Sequence, residues 1–357
     1  MTSTHESPLA ADLDHVLTHT EGLWEPLRGK HIFVTGGTGF FGRWLLESFA
    51  HTNAALNLGA KMVVLSRSPE SFARKALHLY ANPAIRFVEG DVRTFTAAEV
   101  LSQLGANGAE QFGFVIHAAT VSIGDPKAED SSYMVSNIVE GTISALEFAV
   151  ATNAKRFLLT SSGAVYGRQP VEMTHIPETY FDSFDFSLKR SAYGNGKLAA
   201  EVLCGDYQQQ HGLETVIARC FAFVGPFLPL DVHFAIGNFI RDAVAGRPIE
   251  VSGDGTPYRS YLYSADLVIW LWTILLRGEA GRAYNVGSEE AHTIHSLANL
   301  VAEVCHAPAV HVKEKPDPAR PAERYIPSCR RAREELGLEQ HIGLADAIRR
   351  TVKAIPG

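Results

Sequence analysis

Residues 31–50, H-I-F-V-T-G-G-T-G-F-F-G-R-W-L-L-E-S-F-A, constrain this chain more than any other stretch. A short β-branched, apolar run leads into a glycine-rich turn, and the turn opens into an apolar helical pattern. Gly36, Gly39 and Gly42 stand at the junction as G-x-x-G-x-x-G. A turn free of side chains lets a pyrophosphate approach the backbone. The helix behind it aims its N-terminal amides and the positive end of its dipole at the anion. A glycine triplet alone is weak. A strand before it and a helix after it make it a dinucleotide-binding turn.

The rest of the chain keeps the same rhythm. M-V-V-L at 62–65, I-R-F-V-E-G-D at 85–91, F-V-I-H-A-A-T at 114–120, F-L-L-T-S-S at 157–162 and T-V-I-A-R-C at 215–220 read as buried strands, most of them separated by helical patterns. That alternation predicts a Rossmann-type, doubly wound parallel sheet in an α/β fold. It breaks down after about residue 223, where a smaller mixed lobe is expected. The expected division is an N-terminal extension at 1–29, a dinucleotide-binding domain at 30–222 and a substrate lobe at 223–357. Strands near 260–288 are expected to return to the first domain. D-L-D-H-V-L in the extension predicts a short helix packed on the outside.

Composition excludes several classes. The net charge is −7 and no basic cluster stands out, which argues against nucleic acid. The four cysteines, Cys204, Cys220, Cys305 and Cys329, form no C-x-x-C and match no histidine spacing for zinc, so no metal is expected and the thiols read as reduced. The start carries no basic-then-apolar leader. The most apolar run, L-V-I-W-L-W-T-I-L-L at 267–276, is too short to span a bilayer and reads as a buried helix. A soluble cytoplasmic protein is the expectation.

The second strand ends in S-R-S-P, so Ser66 and Arg67 occupy the place of the acidic residue that would hold a ribose diol. A hydroxyl and a guanidinium suit a 2′-phosphate, which favours NADP over NAD; stacking of Arg67 on the adenine of either is the alternative. Asp91 stands where it could bond the adenine amino group or cap a helix. Y-G-N-G-K at 193–197 places Tyr193 and Lys197 one turn apart on one helix face. An ammonium beside a phenol lowers its pKa from about 10, so Tyr193 is expected to exchange a hydroxyl proton near neutral pH. Gly194 and Gly196 fit a face where backbone or cofactor comes close. After the fifth strand, T-S-S-G-A-V-Y-G offers Ser162, or else a turn serine at Ser161, at the carboxyl end of the sheet.

Taken in order, T-G-G-T-G-F-F-G, H-A-A-T, S-S-G-A-V-Y-G, S-A-Y-G-N-G-K-L-A-A-E, G-D-G-T-P-Y-R-S-Y-L-Y-S-A-D-L and A-Y-N-V-G-S resemble the extended short-chain dehydrogenase/reductase family, the nucleotide-sugar epimerases and dehydratases. The resemblance covers about residues 30 to 355. It implies catalytic roles for Ser162, Tyr193 as base, Lys197, and Asn137 supporting the lysine. It implies cofactor contacts from Gly36, Thr38, Gly39, Phe40, Phe41, Gly42, Ser66, Arg67, Asp91, Val92, Ala118, Ala119, Thr120, Tyr193 and Lys197. It implies substrate contacts from Ser162, His233, Asn238 and Arg259, the last on a nucleotide diphosphate, and a structural role for Asp266. It also implies a homodimer formed by the helices carrying Asn137 and Tyr193.

The departures from the family pattern narrow the chemistry. Sugar 4,6-dehydratases carry an Asp-Glu pair just after the catalytic residue, and uronate decarboxylases usually carry a Glu at the second of these positions. Here they are Gly163 and Ala164. Ala222 replaces a common asparagine, and His233 and Phe234 replace small polar residues, His233 reading more readily as a packing or capping residue than as a catalyst. The resulting expectation is a nucleotide-sugar 4-epimerase working through a transient 4-ketone on bound NAD(P). An NADPH-dependent reductase of a 4-keto-6-deoxy nucleotide sugar is the alternative. A dehydratase, a decarboxylase and a non-catalytic NAD(P)-binding sensor rank below these.

Overall fold

The structure is a computed structural model, and it describes residues 9–105, 111–120, 127, 129–180, 191–231 and 234–355. Its frame is a parallel sheet of seven strands: β1 (His31–Thr35), β2 (Lys61–Ser66), β3 (Ile85–Glu89), β4 (Phe112–His117), β5 (Arg156–Ser162), β6 (Glu214–Cys220) and β7 (Arg282–Val286). Their order is β7-β6-β5-β4-β1-β2-β3. The chain thus forms the doubly wound parallel sheet that the strand–helix alternation predicts. The order reverses between β1 and β4, and the carboxyl ends of the strands at such a switch point are where sheets of this kind bind ligands.

Both faces of the sheet are covered, so its strands are apolar on both sides. On β1, Ile32 and Val34 face one core and Phe33 the other, the period-2 alternation of a strand. The first core is built on the helices Phe40–Ala55 and Ser264–Arg277, the second on Ala97–Leu104, Ser131–Ala151 and Ser191–His211. The expected buried helix at 267–276 lies inside Ser264–Arg277, whose residues 264–276 are all buried. Ser131–Ala151 has the length and mean hydropathy, 1.2, of a membrane span, and half of that window is buried in the fold, much of it against the neighbouring helix Ser191–His211.

Two differences from the sequence reading concern strand ends. The third strand stops at Glu89 and the fourth at His117, so Gly90–Asp91 and Ala118–Thr120 lie in the loops that follow. Both loops are at the ligand end of the sheet.

The N-terminal helix, Ala10–His19, does lie on the outside of the sheet layers, yet it is wired into the core. Leu9, Leu13 and Val16 are buried in the first core. Buried Asp12 accepts hydrogen bonds from Tyr263 Oη at 2.6 Å and Arg350 Nη1 at 2.6 Å. His15 reaches Asp266 Oδ1 at 3.2 Å, and the amides of His341 and Ile342 donate to Asp266 Oδ2. Asp266 therefore ties three separate segments together, a structural role.

Beyond β6 the chain builds short ribbons. Ile249–Val251 pairs with Val310–Val312. Tyr258–Arg259 lies between His292–Thr293 and Arg324–Tyr325. Between these ribbons the chain returns to the large sheet as β7, beside β6.

Candidate active site

The glycine turn shows why each glycine is there. Gly36 has φ +72°, and a Cβ on it would lie 2.5 Å from the Ala118 carbonyl group and the Ala119 nitrogen. Gly36 thus seats the turn against the loop after β4. A Cβ on Gly42 would collide with the Gly36 carbonyl and the Gly37 backbone, so this glycine lets helix and turn touch. Gly39 differs. It is the N-cap of Phe40–Ala55, and its Cβ would approach only the Gly36 oxygen, at 3.5 Å. Its open side, and a helix start with no side-chain cap, fit a pyrophosphate on the free amides. Thr38 is exposed at this turn, while Phe40 and Phe41 turn inward, Phe41 edge-on to Phe223 at 5.1 Å.

At the adenine end, Ser66 is buried and its Oγ accepts from the Ser68 amide at 3.2 Å. Arg67 is exposed and acts on Asp91 through its charge. Asp91 is gripped by Arg93, Nε at 3.1 Å and Nη2 at 2.8 Å, which holds its carboxyl below the usual range. The helix-cap alternative for Asp91 is overturned: Thr96 caps Ala97–Leu104 in a capping box with Glu99. Val92 packs toward Gly141 on Ser131–Ala151.

The candidate reacting centre lies where β5 ends and Ser191–His211 passes over it. Ser162 is buried, and its Oγ accepts from the Ala164 amide at 3.2 Å, capping the short 3-10 turn Gly163–Tyr166. The Ser162 and Thr120 hydroxyls lie close enough to the Tyr193 phenol to favour its ionised form. Ser161 points elsewhere and donates to Glu201 at 2.5 Å. Asn137 is buried in the middle of Ser131–Ala151.

Lys197 departs from expectation. Its Nζ donates to the Thr160 carbonyl at 2.9 Å and lies 5.9 Å from the centre of the Tyr193 ring. Burial lowers the lysine to about 8 and pushes the tyrosine up to about 12, because the phenolate loses water and only the Ser162 and Thr120 hydroxyls offset that. In this state of the site, the phenol is not lowered by the lysine.

The two glycines of Y-G-N-G-K serve backbone approach. A Cβ on Gly194 would strike the Ala164 carbonyl, and one on Gly196 would lie 3.1 Å from Ile138 Cδ1. Gly194 thus admits the turn that carries Ser162, and Gly196 admits the neighbouring helix.

The substrate side is partly placed. Arg259 donates to the Tyr258 carbonyl at 2.8 Å. Asn238 Oδ1 accepts from Arg241 at 3.1 Å, on the helix Ala235–Val244. His233 lies outside the described residues. No cluster of three or more His, Cys, Asp or Glu side chains able to hold a metal occurs among the described residues.

Sequence reasoning missed several groups around the centre. His117 is buried between Thr35 Oγ1 at 2.8 Å and Thr142 Oγ1 at 3.3 Å. Burial, and then the Lys197 charge, lower it to about 3, so it is neutral. Glu201 and Arg219 form a buried bidentate pair, extended by Tyr166 to Asn285 at 2.6 Å. Glu201, Tyr166 and Asn285 stand inside three of the matched motifs, which was the available signal. Phe221 and Tyr325 cover Gly163, where an added Cβ would lie 2.7 Å from Phe221 Cζ and 2.7 Å from Tyr325 Oη. No local pattern marks Tyr325.

Comparison with known proteins adds to this geometry. The model of the NAD dependent epimerase/dehydratase family matches residues 32–287. UDP-glucuronic acid decarboxylase 1 of Arabidopsis thaliana is 30% identical over 321 residues, covering 90% of this chain and 68% of that protein. UDP-glucuronic acid decarboxylase 6 of the same plant is 29% identical over 332 residues and 90% of each chain. Among solved structures, UDP-glucuronic acid 4-epimerase from Bacillus cereus, in complex with UDP-glucuronic acid and NAD, superposes with a TM-score of 0.74 over 91% of this chain and 98% of that one. At 20% identity that likeness concerns the fold.

Proposed function

The chain belongs to the NAD dependent epimerase/dehydratase family, and on that premise we propose that it is a nucleotide-sugar 4-epimerase working through a transient 4-ketone. The relatives named for UDP-glucuronic acid support a nucleotide-diphosphate sugar as the substrate class, with a UDP-uronate the first to test.

The carrying observation is Gly163. It has no side chain, Phe221 and Tyr325 fill the space where one would project, and Ala164 follows. No acid–base group stands directly after Ser162 for elimination or for the usual decarboxylation. What remains needs one proton transfer and one hydride transfer.

The glycine turn would hold the cofactor's pyrophosphate, with Thr120 and Lys197 nearer the reacting end. The nicotinamide, when bound, supplies the hydride acceptor and donor and, oxidised, a positive charge. Tyr193, ionised to phenolate once that positive charge stands beside it, would take the proton of the C4 hydroxyl and return it after the ketone has turned over. Ser162 steadies the C4 oxygen by hydrogen bonding. Lys197, anchored on Thr160, fixes the local positive charge. Arg259 would take the diphosphate by bidentate contact. Ser66 and Arg67, with no carboxylate at the end of β2, support NADP over NAD.

The test begins with freshly purified, acid-denatured protein, whose released dinucleotide is identified by mass and quantified per chain. Near-stoichiometric retention supports internal recycling, hence epimerisation. Protein that is empty and binds NADPH well but NADH poorly overturns it in favour of the ketoreductase. Incubation with UDP-glucuronic acid, followed by NMR, then separates a C4 epimer from a pentose product. The pentose is the second reading, favoured by the decarboxylase relatives.

We further propose a homodimer through Ser131–Ala151 and Ser191–His211. Val135 and Val139 line a shallow groove on the first helix, and Val202 on the second is 65% exposed. Light scattering behind size exclusion tests it, and a monomer at micromolar concentration sinks it.

A further inference from the structure

We infer that Tyr325 is a positioning residue of the active site: its phenol directs the Ser162 hydroxyl toward Tyr193 and links it to the strand that carries Arg259. The inference rests on the reading above of Ser162 and Tyr193 as the reacting pair.

The first observation is steric. The Tyr325 hydroxyl sits where a side chain at 163 would project, immediately beside Ser162. Its ring is held there by Phe221, with centroids 4.7 Å apart. Gly163 and Tyr325 therefore form a complementary pair, and the missing side chain is the room the phenol uses.

The second observation is hydrogen-bond capacity. The Ser162 hydroxyl lies within interaction reach of both phenols, Tyr325 and Tyr193. A serine hydroxyl has one proton to donate and two lone pairs. One lone pair accepts the Ala164 amide. Burial raises the Tyr325 phenol, which keeps it protonated and a donor at neutral pH. Donated to Ser162, its proton would fill the second lone pair. The Ser162 proton is then left to point at the Tyr193 oxygen, or at a substrate oxygen in its place. Without Tyr325 the serine can rotate, and the orientation is lost.

The third observation is the link to the substrate side. Arg324–Tyr325 pairs with Tyr258–Arg259 in parallel register, Tyr325 opposite Arg259, and the Arg259 guanidinium lies 6.0 Å from the Tyr325 ring. One small ribbon thus carries both the arginine proposed for the diphosphate and the phenol that sets Ser162. A diphosphate drawn onto Arg259 would hold this ribbon in place over the reacting centre.

The test is a double-mutant cycle on the full chain with Tyr325→Phe and Ser162→Ala. Tyr325→Phe keeps the ring against Phe221 and removes only the hydroxyl. The first readout needs no substrate: the denaturation midpoint. The two substitutions should be non-additive, with Tyr325→Phe costing little once Ser162 is gone. Additive midpoints overturn the inference, whatever the enzyme acts on. The second readout is turnover of a nucleotide sugar. Tyr325→Phe should lower kcat about tenfold, the worth of one directed hydrogen bond, with KM unchanged, and should have no further effect on Ser162→Ala. An unchanged kcat in a protein whose Tyr193→Phe variant is inactive overturns the inference. Coupled midpoints in a protein whose Tyr193→Phe variant turns over like the parent leave the hydroxyl contact standing and sink the functional reading instead.

Discussion

Two side chains at the candidate reacting centre show how burial redirects groups that the sequence puts on one helix face. Tyr193 and Lys197 share a helix face as their spacing requires, yet the phenol is pushed up to about 12 and the lysine down to about 8. The spacing was legible. The sign of the shift was not, because desolvation depends on what the rest of the chain lays over both groups. Tyr193→Phe should lower turnover by about 10²–10⁴-fold, the usual worth of a positioned acid–base group, while dinucleotide affinity measured by fluorescence titration falls far less. His117 gives a pH prediction. Its pKa falls from 6.5 unfolded to about 3 folded. The unfolded chain binds the proton first, so this contribution is fully present above pH 6.5 and is lost as pH falls toward 3. The urea midpoint should drop between pH 6.5 and 5 in the parent protein, and the drop should be smaller in His117→Gln. Equal slopes would show that His117 does not couple folding to pH.

Within an element, one helix carries glycines of opposite meaning. On Ser191–His211, Gly194 faces the Ala164 carbonyl, whereas a Cβ on Gly205 would meet nothing within 4 Å. Gly194→Ala must push back the turn that carries Ser162. It should cost roughly 1–3 kcal/mol as an overpacked contact and lower turnover as well. Gly205→Ala removes only conformational freedom from an open helix site and should stabilise the protein by about 0.5–1 kcal/mol. Chemical denaturation of the two variants separates them, and equal effects would refute this assignment of the contacts. Both glycines look alike in sequence. The difference lies in which neighbour the helix face meets. The strands, in contrast, were legible from their own residues: apolar β-branched runs bounded by turns could be placed to within a few residues. The ends that moved, at Glu89 and His117, moved where a loop must turn at the ligand end of the sheet.

At the scale of the whole molecule, the N-terminal helix closes the structure on itself. Asp12 bonds residues 251 and 338 positions away. Asp12→Ala leaves the buried Tyr263 hydroxyl without this partner and should cost about 1–3 kcal/mol, Arg350 being partly solvated and contributing less. The melting temperature should fall while the dinucleotide retained per chain stays the same; an unchanged melting temperature would show that the helix is an appendage. A weak helical pattern in D-L-D-H-V-L gave the element but not its attachment. By itself the sequence determined what is local: the strand–turn–helix at Gly36–Gly42, the alternation that makes a parallel sheet, and the motifs that put Ser162, Tyr193 and Lys197 at its carboxyl end. Those features depend on sterics and spacing within a few residues. Only the tertiary structure decided that Tyr325 stands over Gly163, that Glu201 pairs with Arg219, that Asp12 locks the chain start to its end, and which way each buried group titrates. These depend on the packing of segments up to hundreds of residues apart and on the water that packing removes, and no local pattern carries either.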